Sequence, residues 1–399
     1  MLTAALVFVP TYIVVALGRV PGLTLDRTGA AVVGASFMIA LGVITPQQAY
    51  GFIDLGTVAL LFGMMVVVAN LRLSGFFRWA TVAVVKRVKT GRLLLAGVIV
   101  ISGVMSALFV NDTVCLALTP LILTLCSELE VRPTPYLMAL ATASNLGSVA
   151  TLTGNPQNML IGVASGLSYR DFFFAQLPVA LAGLAIDFAV IAIVYRKDLA
   201  APFKRQADPP LHIHPWLMAK SLAVSVAMIG FFFLGTPISE VALAGAALLL
   251  LTRRVKPAKV FGDINWNLLV LFCGLFVLLG AARQSGLVER AFELFHANQA
   301  HAPVTFSVVV AALSNLVSNV PAVMLFTPLV PKSPDPHRAW LLLAMASTLA
   351  GNFTLLGSIA NLIVAEGARH RSPLTFAEYL KVGVPVTVLT LAAGVAILS

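Results

Sequence analysis

TLTGNPQNML, residues 151–160, puts a glycine, a proline and three amide side chains into the middle of an apolar run that extends from 136 to 165. Gly154 and Pro156 break a helix and free its backbone groups, and Asn155, Gln157 and Asn158 bring donors and acceptors of their own. Hydrocarbon tolerates such a segment only where protein or a wet cavity satisfies those groups. The rest of the chain indicates that this one lies at membrane depth. Of 399 residues, 59% are hydrophobic and 11% charged, and the mean hydropathy is +0.96, which is the composition of an integral membrane protein. Apolar runs near bilayer-spanning length recur at 2–17, 29–44, 54–73, 92–110, 112–127, 136–165, 172–195, 216–234, 237–252, 266–282, 303–330, 340–365 and 382–398. They leave no stretch for a separate soluble domain. The first run reads as a membrane helix and not a signal peptide, since no Lys or Arg precedes it and Pro10 interrupts it.

An internal repeat organises these runs. Ser106 to Asn111 and Thr119-Pro120-Leu121 match Ser314 to Asn319 and Thr327-Pro328-Leu329 at an offset of 208. Gly154 and Asn158 match Gly357 and Asn361 at 203, and Pro178 matches Pro385 at 207. Asn111 and Asn319 each sit between two apolar arms, which reads as a re-entrant hairpin that enters and leaves by one face. Re-entrant hairpins give five crossings per half, and spanning arms give seven. Either number is odd, so the second half is expected upside down relative to the first. The expected fold is an all-α polytopic membrane protein of two inverted-topology repeats, each with a re-entrant hairpin and a broken transmembrane helix. The first repeat covers 1–199, a cytoplasmic linker 200–215, and the second repeat 216–399.

Charge agrees with this assignment. With the N- and C-termini outside and the central loop in the cytoplasm, 21 of the 26 basic residues fall on internal loops; only Arg170, Arg283, Arg290, Lys332 and Arg338 face out. A net charge of +10 then reflects loops facing anionic lipid rather than nucleic-acid binding. Phe76 to Lys89 alternates aromatic and basic residues and is expected to form an interfacial helix.

The candidate site is assembled from the two tips and the two breaks. Asn111, Asp112 and Thr113 stand at the first tip, with Ser318 and Asn319 at the second. Asn145, Thr153, Gly154, Asn155 and Asn158 crowd the first break, and Thr354, Gly357, Ser358 and Asn361 the second. Half-helix N-termini offer N–H groups and a positive dipole end to an anion, while freed carbonyls suit Na⁺. A single Asn, Ser or Thr in such a helix is accounted for by bonding to a neighbouring helix, so recurrence in both halves is what points to a site. Asp112 and Asp187 are the two acids at membrane depth, and coupling is assigned to them. Val320 and Gly394 take their places in the other half.

No Lys or Arg lies deep in any span, so an anion would be held by dipoles, amides and co-bound Na⁺. Cys115, Cys126 and Cys273 lack CxxC spacing and no HExxH occurs, which leaves an intramembrane metalloenzyme without ligands. Cys115 near the first tip reads as a small apolar filler rather than a thiol ligand for arsenite.

Phe109-Val-Asn-Asp112 with Thr119-Pro120, Ser148 to Asn158, and Ser318-Asn-Val-Pro321 with Thr327-Pro328 together resemble the ion transporter superfamily of arsenite permeases, citrate and dicarboxylate carriers and sodium/proton antiporters. The resemblance covers nearly the whole chain. It implies a multi-pass permease of the inner (plasma) membrane, often a homodimer, moving a transport domain against a scaffold. Asn111-Asp112 is similar to the arsenite permease branch, and Gly154 to Asn158 to the Gly-x-Pro-x-Asn element of carboxylate carriers. Those carriers have Ser-Asn-Thr at both tips, whereas this chain has Asn111-Asp-Thr113 and Ser318-Asn-Val320. The expected function is secondary active transport of a small anion or oxyanion coupled to Na⁺ or H⁺, by a protein that is not an enzyme and needs no cofactor and no metal beyond transported Na⁺. Arsenite or antimonite efflux and sodium/proton exchange are the alternative readings.

Overall fold

The computed structural model describes residues 1–18, 22, 24–85, 88–200, 203, 213–252, 255–287, 290 and 302–399. Most of the linker 200–215, and the basic residues Arg19, Lys86, Arg87, Lys204, Arg205, Arg253 and Arg254, lie outside the described residues. The described chain is all-helical. Its first half runs α1 (Leu2–Leu17), α2 (Arg27–Ala40), a short α3 (Pro46–Phe52), α4 (Leu55–Ser74), α5 (Phe76–Val85), α6 (Gly91–Leu108), α7 (Asn111–Glu128), α8 (Thr134–Ser148), α9 (Pro156–Ser165) and α10 (Tyr169–Val194). Its second half runs α11 (Pro215–Phe233), α12 (Ile238–Leu250), a short α13 (Pro257–Phe261), α14 (Trp266–Gln284), α15 (Pro303–Val317), α16 (Asn319–Phe326), α17 (Pro336–Ala350), α18 (Ile359–Ala368) and α19 (Phe376–Leu398). Six of these, α4, α6, α10, α11, α14 and α19, are long and apolar enough to cross a membrane.

Polar residues start the helices where the sequence places them. Asp54, Thr90, Ser168 and Thr375 each accept a backbone N–H three residues on, and Thr45 closes a full capping box with Gln48.

α10 and α19 run antiparallel, as do α4 and α14. Tyr195, just past the end of α10, bonds Glu378 at the start of α19 (3.5 Å), while Gly394 near the end of α19 packs on Val179 near the start of α10. Likewise Arg72 in the last turn of α4 pairs with Asp263 just before α14, and Gly280 late in α14 meets Phe52 just before α4.

In each hairpin the two ends come back together. Gly91 at the start of α6 packs on Leu199, and Arg132 beyond the end of α7 pairs with Asp198, so both ends of the first hairpin meet the 3-10 turn Asp198–Ala200. In the second, Phe306 near the start of α15 stacks edge-on with Phe326 at the end of α16, centroids 5.6 Å apart. The first turn falls at Phe109-Val110, so Asn111 opens α7 instead of forming the apex. The second falls on Ser318, at φ 76° and ψ 157°, a backbone region that only glycine adopts freely.

The helix expected from Phe76 onward is present as α5, but its aromatic face is turned inward. Phe76 and Phe77 are buried and meet Phe109 at the first turn edge-on, at 6.3 and 6.2 Å. Helix α8 is buried over its whole length. It approaches α6 so closely that a β-carbon on Gly147 would stand 2.1 Å from the Gly103 carbonyl oxygen.

Candidate functional site

The apolar run 136–165 is two helices with a break. α8 stops at Ser148, Val149 to Asn155 leave the helix, and Pro156 starts α9, where its missing N–H costs nothing. Asn155, extended at φ −154° and ψ 162°, caps α9 by accepting the Asn158 N–H at 2.8 Å. Asn158 then ties the break to itself, its Nδ2 donating to the carbonyls of Ser148 (3.1 Å) and Thr151 (2.9 Å). Gly154 is obligatory, since a β-carbon there would lie 2.4 Å from the Ser148 oxygen.

The second half repeats this wiring. α17 stops at Ala350, and Ser358 caps α18 by accepting the Ala360 N–H at 3.2 Å. The Asn361 Nδ2 donates to the carbonyls of Gly351 (2.7 Å) and Thr354 (3.2 Å). Adding 203 to Ser148, Thr151 and Asn158 gives Gly351, Thr354 and Asn361. Gly357 is confined as Gly154 is, its missing β-carbon falling 2.9 Å from the Gly351 oxygen.

The two breaks join through Asn145. Its Oδ1 accepts from Asn111 Nδ2 (2.9 Å) and Ser358 Oγ (3.1 Å); its Nδ2 donates to Asn352 Oδ1 (2.8 Å) and Asn361 Oδ1 (3.2 Å). Its counterpart Thr348 mirrors the role, receiving Asn155 Nδ2 and Gln157 Nε2, both at 3.2 Å, and facing Asn158 Oδ1 at 3.5 Å. The first tip is seated on this cluster by a second bond, from the Asn111 backbone N–H to the Gly154 carbonyl at 3.0 Å. Thr153 lies to the side, bonded to the Tyr169 hydroxyl at 3.1 Å. Thr354 contributes its carbonyl, and half-buried Thr113 only flanks the tip.

Other polar groups at the cluster are buried without partners. Ser106 and Ser314, equivalent at the 208 offset, both have unbonded hydroxyls, as has the Asn319 Oδ1 at the second tip. Among the described residues Asp112 makes no side-chain hydrogen bond or ion pair, and the N-terminus of α7 has no side-chain cap, so Asp112 does not serve as one. Cys115 donates to Ser144 Oγ (3.1 Å) and is fully buried, a packing role.

Asp187 stands one residue behind the amides. It is fully buried beside Thr142, with neither carboxyl oxygen bonded. The Thr142 hydroxyl is committed to the Met138 carbonyl at 2.8 Å, and the Thr142 carbonyl accepts from Asn352 at 3.2 Å. A hydrogen-bonded route therefore runs Asn145–Asn352–Thr142 to the side of Asp187.

Asn352, Thr348, Ser148 and Gln157 belong to the cluster but not to the candidate set read from the sequence. Thr348 could have been found there, because it is the counterpart of Asn145 at the offset shared by the breaks. Asn352 lies among the polar residues of the second break, but its counterpart is the apolar Val149, so recurrence does not mark it.

Comparison with known proteins gives the family. The citrate transporter family model, CitMHS, matches residues 12–345. The silicon efflux transporter LSI3 of Oryza sativa subsp. japonica is 33% identical, over 94% of this chain and 93% of that protein. A protein named as transporter arsB of Dictyostelium discoideum is 26% identical over 94% and 87%, and a 46 kDa membrane protein of Mycobacterium leprae is 30% identical over 98% and 97%. In fold, the chain is similar to the YdaH transporter of Alcanivorax borkumensis, with a TM-score of 0.59 at 16% identity, over 100% of this chain and 96% of that one. A family match across most of the helices, and relatives matched almost end to end, give one conclusion: the chain belongs to the citrate transporter family and is a multi-pass membrane transporter.

Proposed function

We propose that the protein is a secondary active transporter of a small oxyacid or oxyanion, driven by H⁺ or Na⁺, and that its halves are inverted copies of one bundle. The observation that carries this reading is the Asn145 cluster, in which both breaks and the first tip meet through neutral amides and hydroxyls. Antiparallel packing of α4 on α14 and of α10 on α19 supports the inversion. The loops with the basic excess form the cytoplasmic face, with both termini outside.

The chemistry of the cluster favours a substrate carried in hydroxylated, uncharged form. Asn and Ser both donate and accept, which matches a molecule whose OH groups do the same. A fully charged di- or tricarboxylate would call for cations, and no described Lys or Arg bonds to the cluster. Silicic and arsenous acids are neutral polyhydroxides at physiological pH, and relatives carry names for silicon efflux and arsB transport. Asp112 at the tip and Asp187 behind the amides are the groups assigned to coupling.

Purified protein in liposomes tests the reading. Flux of silicic acid, arsenite, phosphate, succinate and citrate is measured under imposed pH or Na⁺ gradients. Gradient-driven flux of a hydroxylated acid, lost in Asn145→Ala, is the expected result. Carboxylate flux alone would replace the substrate assignment, Na⁺-driven proton movement without any solute would make it an exchanger, and flux indifferent to every gradient would make it a channel.

A further inference from the structure

A polar cavity lies at the adjoining ends of α10 and α19, and none of its lining residues belongs to the amide cluster. It has a volume of about 440 Å³ and is lined by Arg132, Tyr195, Arg196, Lys197, Asp198, Glu378 and Lys381, with Val194 at its rim. Four cations and two carboxylates share its wall, but the carboxylates are already spoken for. Arg132 donates to Glu378 at 2.7 Å and to Asp198 at 3.4 Å, and the Tyr195 hydroxyl donates to Glu378 at 3.5 Å. The Arg132 guanidinium also lies 6.0 Å from the centre of the Tyr195 ring. These bonds hold Arg132 as a fixed floor. Arg196, Lys197 and Lys381 remain exposed around it and form no ion pair among the described residues.

Exposed apolar side chains adjoin the cavity's lining residues along both helices. Ile193 is 72% exposed and Val194 39% exposed immediately before the basic residues, and Phe376, two residues before Glu378, is 47% exposed. Exposed aliphatic and aromatic side chains on the flank of a membrane helix face acyl chains. A ligand with an anionic head and a hydrocarbon tail fits both surfaces at once. A plain solvated basic face would lack the floor, since its cations would be separately hydrated and interchangeable.

We propose that this cavity binds the phosphate of an anionic membrane lipid, with Arg196, Lys197 and Lys381 as the phosphate contacts and the acyl chains lying over Ile193, Val194 and Phe376. The site spans the two halves, because α10 ends the first and α19 ends the second, and a lipid seated there joins them at the face that carries most of the basic loops. It does not depend on the transported substrate.

The test uses the full chain in mild detergent, with binding of phosphatidylglycerol and phosphatidylcholine read by native mass spectrometry. The wild type is expected to retain phosphatidylglycerol preferentially. The R196Q/K197Q/K381Q variant should lose roughly a hundredfold in affinity for it and K381Q alone about fivefold, the worth of one basic residue near an anionic surface. A control of equal charge change elsewhere in the chain, K220Q/K256Q/K259Q, should lose far less than the cavity variant. K381Q keeps the Arg132 bonds intact, so it reports on the site even if the triple variant fails to fold. Equal retention of the two lipids, or equal losses in cavity and control variants, would overturn the proposal. Displacement of the lipid by inorganic phosphate alone at matching affinity would overturn the lipid source and leave a soluble phosphate site.

Discussion

Replacing Asn145 should damage the protein more than any other single amide substitution, because four partners converge on it. In Asn145→Ala the Asn111 Nδ2, the Asn352 Oδ1 and the Asn361 Oδ1 lose the bonds at 2.9, 2.8 and 3.2 Å, while the Ser358 hydroxyl can rotate to a new acceptor. Each fixed buried group left without a partner costs ~1–3 kcal/mol, which gives ~3–9 kcal/mol for three. Water entering the polar space the side chain leaves brings the expected loss to the lower end, about 3 kcal/mol. That is a large part of the ~5–15 kcal/mol that holds a typical domain folded. Asn145→Asp keeps the two acceptor roles but turns an oxygen toward the Asn352 and Asn361 oxygens, and buries a charge with no countercharge. It should be at least as harmful as alanine. Unfolding in mixed micelles of rising SDS content, followed by tryptophan fluorescence, measures both. An Asn145→Ala protein within ~0.5 kcal/mol of the wild type, the range of an ordinary surface substitution, would refute the hub.

Gly147→Ala should cost ~1–3 kcal/mol or more in the same unfolding assay, because the new β-carbon would stand 2.1 Å from backbone that cannot rotate away. Ser318→Gly should stabilise by ~1 kcal/mol, by relieving a serine held at φ 76°. The two tip amides should separate in behaviour: Asn111→Ala loses ~1–3 kcal/mol with its bond to Asn145, whereas Asn319→Ala removes an oxygen that has no partner and leaves stability nearly unchanged while flux in liposomes falls. Asp187→Asn, a neutral isostere of a carboxyl whose oxygens accept no hydrogen bond, should fold at least as stably as the wild type, and its flux should no longer follow an imposed pH gradient.

The helices were legible because hydrocarbon imposes length and apolarity, and the apolar runs fall on the observed helices almost throughout. The breaks were legible for the complementary reason: Gly154, Asn155 and Pro156 interrupt a helix, and seven residues, 149–155, separate the end of α8 from the start of α9 at Pro156. Two features were not. Phe76 and Phe77 look like membrane-surface anchors in sequence, since an aromatic face reads the same whether it meets lipid or the turn of another hairpin, and only packing shows them on Phe109. Asn352 stands in sequence among the polar residues of the second break, but its counterpart Val149 is apolar, so recurrence does not single it out, although it carries the link from Asn145 toward Asp187. The tip residues were recognised as a set, yet their bonding differs: Asn111 is fixed at both backbone and side chain, whereas the Asn319 oxygen is buried without a partner.

That difference bears on how the site can open. The two breaks are bound across the halves by Asn145 to Asn352, Asn361 and Ser358 and by Asn155 and Gln157 to Thr348, so neither broken helix can move without breaking several buried bonds at once. They act as one body. The first tip is bound to that body twice, at Gly154 and at Asn145. The second tip turns on a strained serine and presents an unsatisfied amide oxygen, and its arm α16 lines a surface cavity of about 190 Å³ with Met324, Thr327 and Pro328 facing Phe52, Asp54 and Arg283. Lifting a tip costs the bonds it breaks less the strain it relieves. On that comparison the second tip is the less costly of the two to move.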